Sequence, residues 1–477
     1  MRVTQHYGLK LAQAQVDFVD VDVENDVRLF VDPQAFLSLP SPWAHECVAV
    51  VQDFFERVII AIRAGDLALA HRMLSGLREP NDTHLGLSRS RSRGTALGDG
   101  FAEKILESLI GSKAAESGLL QDLEDTALLV KGIDRDRISD ITTNVLRRQL
   151  LDFTLEVCEY YGIPTVDDVA SGPMWRQETL GWEETYVRRP VAEGTPLLLV
   201  PKSIVRSSPA YDSDEYYRNY ILSYLEQREM GAGGSLIKVA RSGRRTVTRG
   251  DLRAKYGVGK PVNLRWSQED PELLAAYKEH KRKHPTRPLE NEDLAEKVGA
   301  PADDYVRMLE ELRQTPTGKE HADEYHRRVE GLLTAVFYPL LVNPRREHRI
   351  HDGRKRIDIT YTNAAQLGVF NWIGQHYPAP FIFVECKNYS APIGNSEFDQ
   401  IAGRFSPSKG KVGLLVYRGF DDKQRTLQSC RDTARDQRGI ILAIDDEDLA
   451  VLVDERTREP LREYMGLLHE RFIWLVS

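Results

Sequence analysis

The sequence predicts a multidomain α+β protein, in which helical N-terminal and middle regions with short strands precede a C-terminal α/β unit. At 477 residues the chain is too long for one ordinary hydrophobic core. Apolar residues recur at helical spacing over much of the first 315 positions, whereas helical and strand-like segments alternate after residue 320. We therefore expect three units, at residues 1–206, 207–318 and 319–477.

Composition narrows the class of protein further. The chain is 41% apolar and 29% charged, which is typical of a globular protein. It has no run of about 18 apolar residues, and "MRVTQHYGLK" lacks an apolar signal region, so we expect no membrane partner and a cytoplasmic location. The four cysteines, scattered without ligand spacing, predict free thiols rather than disulfides or a zinc site. A net charge of −8 does not exclude nucleic acid, because local basic patches set that attraction.

The N-terminal unit opens with an alternating stretch, "VDFVDVDVENDVRLFVD". This alternation predicts a short hairpin ending at Pro33, with Asp20, Asp22 and Glu24 on its solvent face. A metal site at these acids stays open as the alternative. From residue 45 to about 162 the apolar spacing is mainly helical, and the apolar strand "TPLLLVPKSIV" then leads to the predicted boundary near 207.

The middle unit is helical and locally basic. The segments "RSGRRTVTRGDLRAKYGVGKP" and "KEHKRKHPTR" carry far more cations than acids, so they indicate either a surface that follows a phosphate backbone or a solvated linker. Neither "GAGGSLIK" nor "GVGKP" has the P-loop spacing, so we expect no ATP site of that type. The residues expected to contact nucleic acid are Arg244, Arg245, Arg249, Arg253, Lys255 and, from the C-terminal unit, Arg404.

The C-terminal unit contains the most informative segment, "FIFVECKNYS". In a strand, Glu385 and Lys387 project to one face while Val384 and Cys386 project to the other. This arrangement is either an ion pair at a strand end or half of a metal-dependent hydrolytic site.

The neighbouring segments supply further polar groups. An amphipathic helix beginning near 320 has Glu330 at the edge of its apolar face, and the strand "RKRIDITYT" presents Asp358 opposite to Ile357 and Ile359. Antiparallel pairing of that strand with "FIFVECK" would bring Asp358, Glu385 and Lys387 together. A helix with a Ser396-x-x-Asp399 capping pattern then carries Gln400 and Arg404 beside its buried stripe. The apolar strand "KVGLLVY", a helix and the strand "GIILAID" follow.

Taken together, Glu330, "DGRKRIDI", "VECKNYS" and "EFDQIAGRF" resemble the PD-(D/E)xK nuclease superfamily, and the glutamine-bearing helix is similar to that of its Mrr-like branch. The resemblance covers about residues 320 to 455. It implies a restriction-endonuclease-like core, a mixed sheet flanked by helices, in which Asp358 and Glu385 are the two acids and Lys387 is the lysine. Ile357 stands where the motif has proline, and Asp352 competes with Asp358 for the first acidic position.

The chemistry of phosphodiester cleavage fits these residues. Asp358 and Glu385 are ligands suited to Mg²⁺, for which Mn²⁺ can substitute; the Cys386 carbonyl and Glu330 are further expected ligands. Lys387 would orient or deprotonate the attacking water, and Gln400 would position water or phosphate.

We therefore expect a magnesium-dependent endonuclease that acts on DNA, in a prokaryotic restriction-type or antiviral defence role, with RNA and single-stranded DNA open as substrates. The N-terminal unit would sense a signal or form a homo-oligomer. The alternative is a catalytically inactive nucleic-acid-binding protein that retains the nuclease fold.

Overall fold

The computed structural model describes residues 1–86, 98–208, 210–239, 245–345, 359–419, 423–458 and 466–477. It confirms the α+β class and a mixed sheet in the C-terminal region. Within the described residues no helix is both long and apolar enough to cross a membrane.

The N-terminal region is a helical body carrying short strand pairs. Its helices are α1 (Val3–His6), α2 (Pro33–Leu37), α3 (Pro42–Arg63), α4 (Leu67–Leu74), α5 (Gly98–Ile110), α6 (Lys113–Ser117), α7 (Asp125–Leu129), α8 (Arg135–Val145) and α9 (Arg147–Tyr161). Its strands are β1 (Phe30–Val31), β2 (Val166–Ala170), β3 (Met174–Arg176), β4 (Gly181–Glu183), β5 (Tyr186–Arg189), β6 (Val191–Ala192), β7 (Thr195–Pro196) and β8 (Val205–Arg206).

The predicted N-terminal hairpin is wrong. The stretch around Asp20 pairs with distant segments instead, through single bridges such as Phe18 with Pro201, and β1 pairs with β8. Asp20 is 1% exposed rather than on a solvent face, because its carboxylate accepts hydrogen bonds from the backbone and hydroxyl of Thr4 and pairs with Arg2. A buried carboxylate needs such partners to offset its lost hydration.

The middle region is helical, as predicted. Its elements are α10 (Ser213–Tyr216), a π-helical turn (Tyr217–Ile221), α11 (Leu222–Ala232), β9 (Lys238–Val239), β10 (Arg245–Thr246), α12 (Arg249–Tyr256), α13 (Lys260–Glu269), α14 (Glu272–Lys283), α15 (Asn291–Lys297) and α16 (Tyr305–Arg313). Apolar side chains from both sides of residue 207 pack in one cluster that extends to Val298 and also takes in Tyr338, Val342 and Ala364. A second cluster covers most of the chain from Tyr305 onward.

The C-terminal region alternates helices and strands. Its elements are α17 (Ala322–Phe337), β11 (Leu341–Arg345), β12 (Ile359–Asn363), α18 (Gly368–His376), β13 (Phe381–Lys387), α19 (Asn395–Ala402), β14 (Val412–Tyr417), α20 (Lys423–Arg435), β15 (Ile440–Ile444), α21 (Asp446–Arg458) and α22 (Gly466–Val476). The helix α18 lies where the sequence indicated only a connection between strands.

The five strands form one sheet in the order β11-β12-β13-β14-β15. β12 is antiparallel to β11 and β13, whereas β14 runs parallel to β13 and β15. Every residue of β14 and β15 is buried, which explains their continuous apolar sequences. β13 is therefore the central strand, with an antiparallel neighbour on one side and a parallel neighbour on the other.

Helices cover the two faces of this sheet. The Tyr361 hydroxyl lies 2.8 Å from the Thr334 hydroxyl of α17, on the face that also carries Ile382 and Val384. On the other face, α19 packs so closely on β14 that a Cβ added to Gly413 would lie 2.9 Å from Ile401 Cδ1. The absent side chain of Gly413 lets α19, and the polar residues it carries, approach the sheet.

We expect Gly413→Ala to lower the free energy of unfolding by about 1–3 kcal/mol, because the new methyl group overpacks the contact between α19 and β14. Urea unfolding followed by circular dichroism measures this change. The matched control is Gly231→Ala in α11, where an added Cβ meets open space and stability should be unchanged or slightly increased. Equal unfolding midpoints for the two variants would contradict the close packing.

Candidate active site

The C-terminal end of β13 carries a buried acid and a lysine on the same face. Glu385 is 1% exposed, and its Oε1 lies 2.8 Å from Lys387 Nζ. Val384 and Cys386, on the opposite face, belong to the apolar cluster. The alternation read from the sequence thus places two charged groups side by side above a buried strand.

Two residues from α19 and the turn after it reach the same pair. Gln400 Oε1 accepts a hydrogen bond of 3.1 Å from Lys387 Nζ, and the Arg404 guanidinium lies 2.6 Å from Glu385 Oε2. Four side chains therefore form a continuous polar row, Arg404–Glu385–Lys387–Gln400. The two cations offset the cost of burying the Glu385 charge.

The capping of α19 differs from the prediction based on Ser396 and Asp399. The N-cap is Gly394, whose backbone N–H donates to the Glu397 carboxylate at 3.1 Å. The helix therefore begins one residue before the predicted cap. Phe398, Ile401 and Ala402 form its buried stripe.

Helix α17 contributes a residue that the sequence did not single out. His326 Nε2 lies 3.0 Å from the Cys386 carbonyl oxygen. Burial lowers the pKa of His326, although the bond to Cys386 and the nearby Glu385 act in the opposite direction. The neutral ring with its proton on Nε2 is the form that donates this bond. In the sequence, the one feature that could have indicated His326 is its position one turn before Glu330 on the same helix.

Glu330 is oriented by the N-terminal region. Its carboxylate accepts a hydrogen bond from the Tyr160 hydroxyl of α9, and the residue is 5% exposed. Tyr361 also donates to the Glu330 backbone carbonyl, at 3.2 Å. The expected role of Glu330 as a metal ligand stays a prediction.

The end of β13 is fixed by Asn388, which immediately follows Lys387. The Asn388 side-chain amide donates to the carbonyls of Pro316 and Gly318, at 2.9 and 3.1 Å, and the Gly318 N–H donates back to the Asn388 carbonyl. Asn388 is buried, so these bonds satisfy groups that water does not reach. They hold the strand end against the segment that leads into α17.

The remaining predicted site residues lie apart from this row or outside the described residues. Asp358, its competitor Asp352, and Arg244 all lie outside the described residues. Arg245, Arg249 and Arg253 are exposed on β10 and α12 of the middle region. Lys255 is also on α12, where it pairs with Glu229 and lies over the Tyr256 ring.

Among the described residues near Lys387, few oxygen atoms could coordinate Mg²⁺, although those present are of a suitable kind. Glu385 and the Cys386 carbonyl are hard oxygen donors, of the kind that this ion takes. Glu385 is paired with two cations and the Cys386 carbonyl with His326. Within the described ranges, no group of three or more His, Cys, Asp or Glu side chains is arranged to hold a metal. A magnesium site here would require the second carboxylate that the sequence assigns to Asp358.

Residues 8–212 match the family model of a domain of unknown function (DUF8370). The match ends before α17 and so covers the N-terminal region without the polar row. No curated protein and no solved structure matches the chain.

We expect Arg404→Met to destabilise the protein by about 3 kcal/mol, because it removes one of the cations that neutralise the buried Glu385 carboxylate. Adding Glu385→Gln should recover much of the loss, since the buried charge is then absent. Denaturant unfolding of the single and double variants measures both effects.

An exposed ion pair of the same geometry provides the control. Arg438 and Asp399 are also 2.6 Å apart, but their side chains are 45% and 60% exposed. Arg438→Met should therefore change the free energy of unfolding by less than about 1 kcal/mol. A loss as large as that of Arg404→Met would mean that burial of Glu385 is not the cause.

Proposed function

We propose that the protein is a metal-dependent nuclease of the PD-(D/E)xK type, which hydrolyses phosphodiester bonds of DNA. The observation that carries the proposal is the placement of Glu385 and Lys387 on one face at the end of the central strand β13, 2.8 Å apart. Gln400 and Arg404 extend this pair into a row of groups able to contact a phosphate and its attacking water.

The order of elements supports the same proposal. A helix precedes β11, antiparallel strands lead to the strand with the Glu-x-Lys motif, and the glutamine-bearing helix follows directly. We infer from this order a restriction-endonuclease-like core, with α17 and α19 on opposite faces of the sheet. The motif strand then lies between the antiparallel and parallel parts of the sheet.

Asp358 is proposed as the second acid. It directly precedes Ile359, and Ile359 pairs with Val384, the residue before Glu385. The pairing of Ile359 with Val384 therefore supports the choice of Asp358, its neighbour in the sequence, as the partner of Glu385. The two carboxylates would hold Mg²⁺, which supplies Lewis acidity and stabilises the charge that develops at the phosphate.

Each residue of the row has a distinct proposed task. Lys387 orients the attacking water as an ammonium or, when deprotonated beside a bound Mg²⁺, accepts the proton of the water as a neutral amine; Gln400 positions the Lys387 nitrogen by accepting its hydrogen bond. Arg404 neutralises Glu385 when no substrate is bound and contacts a phosphate oxygen when one is. Planar guanidinium groups are suited to this exchange, because they pair with carboxylates and phosphates through the same geometry.

The pairing of Glu385 with both cations favours a second proposed function, a nucleic-acid-binding protein that does not cleave. A carboxylate that is fully engaged by Lys387 and Arg404 is also what a purely structural ion cluster requires. Cleavage assays separate the two proposals.

We expect the purified protein to cleave plasmid DNA with Mg²⁺ or Mn²⁺ and to lose this activity with a chelator. Lys387→Ala should reduce the cleavage rate by about a hundredfold or more while leaving DNA binding largely intact, because the water would lose its base and the acids would remain. Gel assays of supercoiled, linear and single-stranded DNA and of RNA measure the rates and the preferred polymer.

The control is Lys409→Ala, which removes an exposed lysine of the same region and should leave the rate unchanged. Circular dichroism establishes that both variants are folded. If the wild-type protein cuts none of these polymers with any metal and still binds DNA, the non-cleaving proposal replaces the nuclease proposal.

The exposed arginines of α12 test nucleic-acid binding separately. We expect the double variant Arg249→Gln, Arg253→Gln to weaken binding to all DNA sequences and to reduce the salt dependence of log K by about one for each phosphate that the protein no longer neutralises. Fluorescence anisotropy at several salt concentrations measures this slope. An unchanged affinity and slope would favour the solvated-linker interpretation of the segment.

A further inference from the structure

A cavity of about 660 Å³ lies between all three regions of the chain. Asp32 and Arg206 line it from the N-terminal region, Lys281 and Arg282 from the end of α14, and Asn371 from α18. Its volume falls within the roughly 300–1,000 Å³ that is typical of small-molecule sites, which are often found between domains. None of the residues of the polar row at Glu385 lines it.

Two of the charged groups that line this cavity, a carboxylate and a guanidinium, are buried. Asp32 is 4% and Arg206 2% exposed. Asp32 Oδ1 caps α2 by accepting the Gln34 N–H, and the Arg206 guanidinium donates to the carbonyls of Ser203 and Val205. Within the described residues, Asp32 Oδ2 and Arg206 Nε make no hydrogen bond of normal geometry, although the Ala210 backbone N–H also acts on the Asp32 carboxylate. The cavity therefore offers a buried acceptor and a buried donor to a ligand.

Burial disfavours the charged form of both groups. Burial raises the pKa of Asp32 against the opposing charges of Arg206 and Lys281, and burial lowers the pKa of Arg206 against the charge of Asp32. A buried polar atom without a hydrogen bond carries a desolvation penalty. A ligand that bonds to both groups would remove this penalty, and binding would be favoured by that gain.

The outer wall is positively charged. Lys281 and Arg282 belong to the basic segment "KEHKRKHPTR", for which the sequence indicated either a phosphate-contacting surface or a solvated linker. Lys281 is held by Glu215 at 2.6 Å and Arg282 by Glu279 at 2.8 Å, and neither of these acids lines the cavity. The Arg282 side chain is 74% exposed, so this wall forms the mouth of the cavity. Asp32 and Arg206, by contrast, are buried and form its floor.

The sides combine apolar and amide groups. Leu39 and Phe370 supply apolar surface, while Gln34, Asn371 and Gln375 supply side-chain amides. The ring of an aromatic base would pack against the apolar sides. The donor and acceptor groups along its edge would pair with the acceptor of Asp32 and the donor of Arg206. A phosphate chain matches the cationic mouth.

We propose that this cavity binds a phosphorylated nucleoside, with the base at Asp32 and Arg206 and the phosphates at Lys281 and Arg282. The cavity is not a P-loop, so the proposal does not conflict with the lack of that motif. It is also independent of cleavage at Glu385, because the two sites share no residue.

The test is binding of the four common nucleoside triphosphates, their nucleosides and pyrophosphate to the full chain by isothermal titration calorimetry at up to millimolar concentration. We expect at least one triphosphate to bind, and to bind at least about tenfold more tightly than pyrophosphate or its nucleoside, because both ends of the ligand contribute contacts. No binding of any triphosphate, or equal binding of pyrophosphate, would overturn the proposal.

The test variants and their control change neighbouring basic residues at the end of α14. Lys281→Gln with Arg282→Gln should weaken triphosphate binding about tenfold or more, since charge-assisted bonds to phosphate are removed. Lys283→Gln should not weaken binding, because Lys283 is 63% exposed, also pairs with Glu279, and does not line the cavity.

A second variant fills the cavity without altering its charge. Asn371→Trp should abolish binding, while the ligand-free variant should unfold at a temperature similar to that of the wild-type protein. Equal affinities for the double variant and the control, or unaltered binding by Asn371→Trp, would place the ligand elsewhere.

Discussion

The C-terminal site depends on the neutralisation of one buried carboxylate. Glu385 lies at the end of the central strand with almost no exposure to water, where an isolated charge would cost several kcal/mol. Lys387 and Arg404 supply the compensating charges from two different elements, the same strand and the turn after α19. α19 must therefore lie against the sheet for two reasons: its apolar side chains pack there, and the turn that follows it brings Arg404 to the Glu385 carboxylate.

Packing on both sides of the sheet allows that arrangement. The small size of Gly413 brings α19 close to β14, while His326 of α17 bonds to the Cys386 carbonyl from the other face. Asn388 anchors the strand end to the turn before α17. Three independent contacts thus limit the movement of the two residues that bear the charges, which is the kind of rigid support that a catalytic or binding site needs.

Local patterns predicted part of this site and three-dimensional pairing determined the rest. The strand alternation of Glu385 and Lys387 and the helical position of Gln400 depend only on neighbouring residues, so they could be predicted from the sequence. Arg404, predicted on the same helix, lies instead in the turn after α19. The ion pair between Arg404 and Glu385, and the bond from His326, depend on how separate elements pack. The N-terminal hairpin failed for the same reason: its strand-like residues find partners near 2, 85 and 201, which no local pattern reveals. The helix α18 was missed because the short, aromatic "GVFNWIGQH" lies just before two closely spaced prolines and resembles a connection.

The hydrogen bond between Tyr160 and Glu330 affects how the chain can be divided. It joins α9 to the helix that also carries His326, so the N-terminal region contributes directly to the surroundings of α17. Apolar contacts cross the same boundary in both directions, because Ala14 belongs to the C-terminal cluster while Tyr338 and Val342 belong to the N-terminal one. A fragment beginning at residue 319 would lose the Tyr160 partner and expose apolar surface that the intact chain covers. We therefore expect residues 1–318 and 319–477 to depend on each other for stability, so that a separated C-terminal fragment would be prone to aggregate.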